Sequence, residues 1–193
     1  VKTSYGCIFF HDDVLNSFLL VSYYVCTFSR EQLIMSDTRL SWDVYFMHLA
    51  EEVAGRSTCL RRHVGAVAVD SKTRRILGTG YNGNIPQFDH CTKDSCVRIK
   101  ENIPSGQQLD RCMAVHAEQN IVLTLGIDKL QDTTFYCTHR PCTTCIKLLL
   151  SCGLRKIIWK HDYPDLLSMS IMQQYGTISI DENGFHVLTK TPV

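Results

Sequence analysis

The chain has 193 residues, 45% of them apolar and 20% charged, which is ordinary globular usage and enough for one cored domain with a short appendage. Lysine and arginine number 20 against 19 aspartates and glutamates, so no global field advertises a nucleic-acid polymer or a membrane surface as partner, although a local phosphate patch is still allowed. Ten cysteines are many for this length, and their C-x-x-C and histidine-containing contexts favour a reducing compartment and metal binding over disulfides.

The first 34 residues do not begin with methionine. Their uncharged run from Val14 to Ser29 is about as long as the shortest spanning helices, but Asn16, Ser17, Ser22 and Thr27 interrupt it, and only Lys2 supplies positive charge before it. The expectation is that residues 1–34 form an extension outside the core, read as sequence upstream of a natural start at Met35; a membrane anchor or signal peptide is the alternative. From there, "SWDVYFMHLAEEVAGRS" predicts a helix capped by Ser41, with Trp42, Tyr45, Phe46, Leu49 and Val53 on one face. "VGAVAVD" and "RRILGTGYNG" predict two strands joined by a turn around Ser71 to Thr73. Asn84 to Val115 reads as a long irregular stretch holding Cys91, Cys96 and Cys112; a loop of that length needs a function or an anchor.

"VHAEQNIVLTLG" predicts a helix ending at Gly126, and "TTFYCT" a short strand. "CTTCIKLLLSCG" predicts a helix opened by Pro141 and closed by Gly153, and "RKIIWK" a strand. "YPDLLSMSIMQQYG" predicts a helix whose Leu166, Leu167, Met169, Ile171 and Met172 read as core-facing. "TISI" and "FHVL" supply the last strands. Strands alternating with helices imply a mixed sheet covered by helices, an α/β/α sandwich.

Two motifs carry chemistry. Cys142 and Cys145 are three apart on a helix, so their sulfurs point the same way, and His116 at the start of another helix can reach the same point. Three N/S ligands leave one tetrahedral position open, the catalytic pattern of zinc rather than the closed structural one. Glu118, two residues after His116, is a natural proton shuttle beside such a metal. A core histidine and a chance or redox C-x-x-C are the bland readings; the joint spacing of H-x-E and P-C-x-x-C is much rarer.

The spacing His116-Ala-Glu118 with Pro141-Cys142-Thr-Thr-Cys145 is the zinc-deaminase signature. With "SWDVYFMHLAEEVAGRSTC", "VGAVAVD", "GTGYNGNIP", "HAEQN", "THRPCTTC" and "DYPD" in order, the chain from about Leu40 to Gly176 resembles the deoxycytidylate (dCMP) deaminases of the cytidine/deoxycytidylate deaminase superfamily. The resemblance implies a three-layer α/β/α sandwich with a mixed five-stranded sheet and helices on both faces. The deaminase domain would span 35–193, with a cysteine-rich insertion at about 84–115. It implies zinc held by His116, Cys142 and Cys145, with Glu118 as the catalytic acid and base. The implied reaction is hydrolysis of dCMP to dUMP, a thymidylate precursor, and ammonia. His116 argues against the free-nucleoside enzymes, which usually present cysteine there. The insertion and the "GYNG" run argue against the tRNA adenosine enzymes. A deaminase of another cytosine or adenine compound and a non-catalytic zinc-binding module are the alternatives; a degenerate copy would be free to lose Glu118.

Other residues are less sharply assigned. Asn82, at a strand end, is suited to a deoxyribose hydroxyl, and equally to a turn before Gly83. The resemblance associates Gly80, Tyr81, Asn82 and Gly83 with an allosteric dCTP/dTTP site, with Mg(2+) accompanying the nucleotide. It associates Tyr163 with the base pocket; a half-buried aromatic beside Pro164 is the alternative. The phosphate needs a cation, and Arg56, Arg61, Arg62, Arg98 and Arg140 are candidates among which the sequence does not choose. Cys59, Cys91, Cys96 and Cys112, with His90 able to replace one sulfur, could close a second, structural zinc site; reduced thiols are the alternative. A cytoplasmic homo-oligomer, dimer-based and commonly hexameric in the family, completes the expectation.

Overall fold

The computed structural model describes residues 39–191, and the expectation for residues 1–34 lies outside the described residues. The Ser41 hydroxyl accepts from the amide of Val44 at 3.4 Å and opens helix α1 (Trp42–Ala54), as its sequence predicts. The buried face of α1 differs from the predicted one. Phe46, Met47, Ala50 and Ala54 are buried, whereas Trp42 and Tyr45 are exposed. The reason lies in the neighbouring strand β1 (Gly65–Asp70). A Cβ on Gly65 would stand 2.0 Å from the carbonyl oxygen of Ala50 and 2.4 Å from the amide of Ala54, so the helix rests directly on glycine through its two alanines.

β1 and β2 (Ile76–Tyr81) form the predicted hairpin, its turn tied by the Asp70 carboxylate, which accepts from the amides of Lys72 at 3.0 Å and Thr73 at 2.6 Å. The remaining elements are β3 (Gly83–Asn84), α2 (Val97–Lys100), β4 (Ala114–Val115), α3 (Ala117–Leu125), β5 (Thr133–His139), α4 (Thr143–Ser151), β6 (Lys156–His161), α5 (Leu166–Tyr175), β7 (Gly176–Ile180) and β8 (His186–Lys190). The mixed sheet runs β2-β1-β5-β6-β8-β7, six strands rather than the five implied by the resemblance, because β7 and β8 both join it as a C-terminal hairpin. β5 and β6 are its parallel pair, joined across α4; the other pairs are antiparallel.

Both faces of the sheet are covered. Val67, Val69, Tyr136 and Ile158 point towards α1, while Ala66, Ala68, Phe135, Cys137, Ile157 and Trp159 point towards Ile121 of α3, Ile146 and Leu149 of α4 and Met172 of α5. The period-two alternation explains why each central strand reads as an unbroken apolar run. On α5 the core-facing positions are Ser168 and Met172, with Ile171 and Tyr175 packed alongside. Leu166 and Leu167, expected in the core, are 89% and 56% exposed because the stripe packed on the sheet runs through Ser168, Ile171, Met172 and Tyr175. Residues 84–115 are less irregular than expected: the β3–β4 ladder closes their base and α2 lies within them. Among the described residues no helix is long and apolar enough to cross a membrane.

Gly65→Ala tests the α1–β1 contact. Forcing a methyl into that backbone approach is expected to destabilise the fold by about 1–3 kcal/mol, read as a lower denaturation midpoint at unchanged slope.

Candidate active site

Two strand-to-helix turns meet on the α3 and α4 side of the sheet. β4 hands over at His116, whose backbone amide donates to the side-chain oxygen of Gln119 at 2.8 Å as α3 begins. β5 hands over through Arg140 and Pro141 to Cys142, the residue before α4. His116 Nδ1 lies 3.5 Å from Cys142 Sγ and 3.3 Å from Cys145 Sγ. Among the described residues this is the one group of three or more such side chains whose ligand atoms all lie within 4.8 Å of one another. A tetrahedral zinc with Zn–N near 2.05 Å and Zn–S near 2.3 Å sets its N and S ligands about 3.6 Å apart, so the donor set and its spacing fit zinc with one position left for a reactant.

The three groups are hydrogen-bonded to one another. The Cys142 thiol is drawn down to about 4, first by its hydrogen bond with Cys145 and then by His116, while that same bond and burial push Cys145 up. Glu118, in the first turn of α3, is buried, and burial raises its carboxyl against the pull of His116. It lines the same cleft as His116 and Cys142.

The Cys142 turn is clamped to the segment after β6. The Asp165 carboxylate accepts from Thr143 N and Thr143 Oγ1, both at 2.7 Å, and from Ser168 N at 3.0 Å, so one side chain caps both α4 and α5. Burial works against its ionisation, but the hydrogen bonds from Thr143 and Ser168 prevail and hold its pKa below the usual value. Ser168 Oγ donates to the carbonyl of Pro141 at 2.5 Å. The buried Arg140 donates through Nε to Asp162 at 2.5 Å, through Nη1 to the carbonyl of Asp165 at 2.8 Å and through Nη2 to the carbonyl of Tyr163.

The structure brings most of the expected residues to one cleft, lined by Asn82, Tyr163, Arg61, Arg62, Arg98, Arg140, Cys59 and Cys112 beside His116 and Glu118. The arginines are not equivalent. Arg56 is exposed, and Arg140 is engaged at all three nitrogens. Arg61 donates to the carbonyl of Arg98 at 3.2 Å. Arg62 lies 4.9 Å above the centre of the Tyr163 ring, and its buried Nη1 has no partner among the described residues. The Asn82 amide is largely engaged: Oδ1 accepts from Ser57 Oγ at 2.6 Å and Val64 N at 2.8 Å, and Nδ2 donates to the carbonyl of Arg62 at 2.9 Å. One amide hydrogen is left. Gly80 has a packing role, since a Cβ there would stand 2.3 Å from the carbonyl of Ala117; Tyr81 is exposed and Gly83 is buried.

Cys91 is half-buried and donates to Asn84 Oδ1 at 3.2 Å. Burial raises its thiol, and the nearby Cys96, Cys112 and Cys59 raise it further. Among the described residues these four cysteines do not form a close ligand group like that of His116, Cys142 and Cys145. His90 is exposed.

Two cleft or clamp residues escaped the sequence reading. Asp165 sat in the quoted "DYPD" without a role, although an aspartate just before an apolar helix is a cap signal. His139 also lines the cleft, and burial, Arg62 and His161 lower its pKa to about 4, so it stands there uncharged at neutral pH.

Comparison with known proteins agrees with this geometry. The family model described as the cytidine and deoxycytidylate deaminase zinc-binding region matches residues 40–161. A deoxycytidylate deaminase of Schizosaccharomyces pombe is 34% identical over 140 residues, 72% of this chain and 43% of that protein. That of Mycobacterium phage D29 is 37% identical over 130 residues, 65% of this chain and 98% of the phage protein. The crystal structure of a dCMP deaminase from the cyanophage S-TIM5 in complex with dCMP and dUMP superposes with a TM-score of 0.55 at 26% identity, covering 70% of this chain and 94% of that one. The chain thus spans less than half of the fission-yeast relative and nearly all of the phage one.

Asp165→Ala removes the shared cap beside Cys142. It is expected to cost about 1–3 kcal/mol in unfolding free energy and to weaken zinc retention about 10- to 100-fold in chelator competition. Asp165→Asn should recover only part of the stability, because its single oxygen can cap one of the two helices while its NH2 would face a donor at the other.

Proposed function

Because the chain belongs to the cytidine and deoxycytidylate deaminase zinc-binding family, we propose that it hydrolyses dCMP to dUMP and ammonia. The observation that carries the choice of a nucleotide is Arg62. A half-buried guanidinium with an unpartnered Nη1, in the same cleft as His116 and Glu118, calls for an anion there. A phosphate answers that need; a free nucleoside does not.

In this reading His116, Cys142 and Cys145 hold zinc, and when bound the metal supplies a Lewis acid that activates water near neutral pH. Glu118 accepts the proton released as water adds to carbon 4 of cytosine. It passes a proton to ring nitrogen 3 and then to the departing amine, so that water enters and ammonia leaves. Its burial supports this role, because a carboxyl with a raised pKa carries protons closer to neutrality. The remaining Asn82 amide hydrogen is assigned to the deoxyribose hydroxyl, and Tyr163 to the pocket wall. A dimer-based assembly belongs to the same proposal, supported by the leucines that α5 exposes, as do a cytoplasmic setting and a dCTP/dTTP response.

The test compares ammonia release from dCMP, deoxycytidine and a tRNA anticodon stem by the zinc-loaded protein. dCMP is expected to be preferred, and Arg62→Met to raise its KM by about 10- to 100-fold, the value of a charge-assisted hydrogen bond. Glu118→Gln should retain zinc and lose about 10²- to 10⁴-fold in kcat. Equal rates on dCMP and deoxycytidine would remove the nucleotide reading.

The insertion carries a second metal proposal. The electrostatic influence of Cys59, Cys96 and Cys112 on Cys91 supports a structural zinc held by these four, with His90 as a substitute ligand. Metal analysis of freshly purified, chelator-free protein should then give two zinc per chain, falling to one in Cys96→Ser; one zinc in the unaltered protein rejects it.

A further inference from the structure

The tip of the insertion is the turn Pro104–Gln107, held from beneath by Arg98. Arg98 is 9% exposed and donates through Nη2 to the carbonyls of Pro104 and Gln107, at 3.1 Å each. Its own carbonyl accepts from Ile103 N at 3.1 Å and from Arg61 Nη1 at 3.2 Å. A planar guanidinium bonded to both ends of a four-residue turn leaves the turn little freedom.

The far side of the turn is fastened across the cleft. Gly106 has φ +82°, and a Cβ there would stand 2.1 Å from the carbonyl oxygen of Pro164, so glycine alone permits this approach. The Gly106 amide donates to the Tyr163 hydroxyl at 3.0 Å. The next partners follow directly: the Tyr163 ring lies under Arg62, and Ser105 Oγ is 3.5 Å from Arg62 Nη2. The turn therefore touches both members of the Arg62–Tyr163 pair. A phenol that accepts from Gly106 still has its own hydrogen to donate, and Arg62 Nη1 and Arg98 Nε are the buried donors of the cleft without partners among the described residues.

We propose that the Pro104–Gln107 turn is a specificity element, in which Gly106 and Arg98 are positioning residues that aim the Tyr163 hydroxyl and Arg62 Nη1 together at the substrate's phosphate. The proposal rests on the dCMP reading and adds to it a reason for the insertion: it completes the end of the cleft that separates a phosphorylated substrate from an unphosphorylated one. Arg98 and Gly106 act through Tyr163 and Arg62 and need not touch the substrate.

The experiment has two arms. Steady-state kinetics on dCMP and deoxycytidine are measured for the zinc-loaded protein, Gly106→Ala and Tyr163→Phe; the last keeps the ring and removes only the hydroxyl. Each variant is expected to raise the KM for dCMP about tenfold, with kcat falling less than about threefold, so that the preference for dCMP over deoxycytidine drops about tenfold. A preference that stays within about twofold of the unaltered protein in both variants, or an equal loss on both substrates, overturns the proposal. The second arm is hydrogen exchange at the Gly106 amide, which needs no turnover. Slow exchange that accelerates in Tyr163→Phe supports the fastening, and fast exchange in the unaltered protein overturns it. An unaltered protein that is inactive on dCMP but shows the protected amide would instead count against the dCMP reading.

Discussion

Helix α3 can begin at the metal group only because β2 offers it a glycine. The carbonyl of Ala117, the residue after His116, occupies the space where a Cβ on Gly80 would stand, 2.3 Å away. A larger residue would push the first turn of α3 outward and carry His116 away from Cys142 and Cys145. β2 pairs with β1 and β1 with β5, so the same sheet that receives α3 at Gly80 delivers Cys142 at the end of β5. Two short helices, each beginning at a ligand, thereby bring their N-termini to one place. Their N-terminal dipoles favour thiolate and carboxylate there, and burial makes those dipoles count for more than they would in water.

Buried cations near this point divide by how they are satisfied. Arg140 has a carboxylate and two carbonyls for its nitrogens, all from the segment 162–165. It joins Asp165 in binding that segment to the Cys142 turn. Arg62 is stacked but incompletely bonded. A desolvated N–H without an acceptor costs about 1–3 kcal/mol, a cost that a bound anion removes. Arg98 combines both: it braces the insertion through Nη2, while its Nε is buried without a partner among the described residues.

The insertion looked structureless because its bonds are not periodic. Its order comes from a two-residue ladder at the base, the Arg98 brace and one glycine seated on Pro164. None of these recurs at a helical or strand interval. The ladder and the brace involve Ala114 and Arg98, which also line the cleft, so the insertion shares part of its anchoring with the pocket wall.

The sequence by itself determined the helix caps, the strand runs and the metal triad. These follow from short-range rules: Ser41 before an apolar helix, alternation along β1 and β5, and two cysteines one helical turn apart. The H-x-E spacing of His116 and Glu118 was legible because a metal ligand and a proton shuttle two residues apart fit one helical turn. Tertiary structure decided what depends on partners distant in the chain. It rotated α1 so that Ala50 and Ala54 meet Gly65, and it turned Leu166 and Leu167 outward. It gave Asp165 two helices to cap, and it left Arg62 rather than Arg140 with an unbonded nitrogen. The physical reason is the same in each case. A local pattern specifies which face or donor a residue offers, but satisfaction of a buried hydrogen bond or a close backbone contact depends on an atom tens of residues away, and only the folded chain brings that atom within reach.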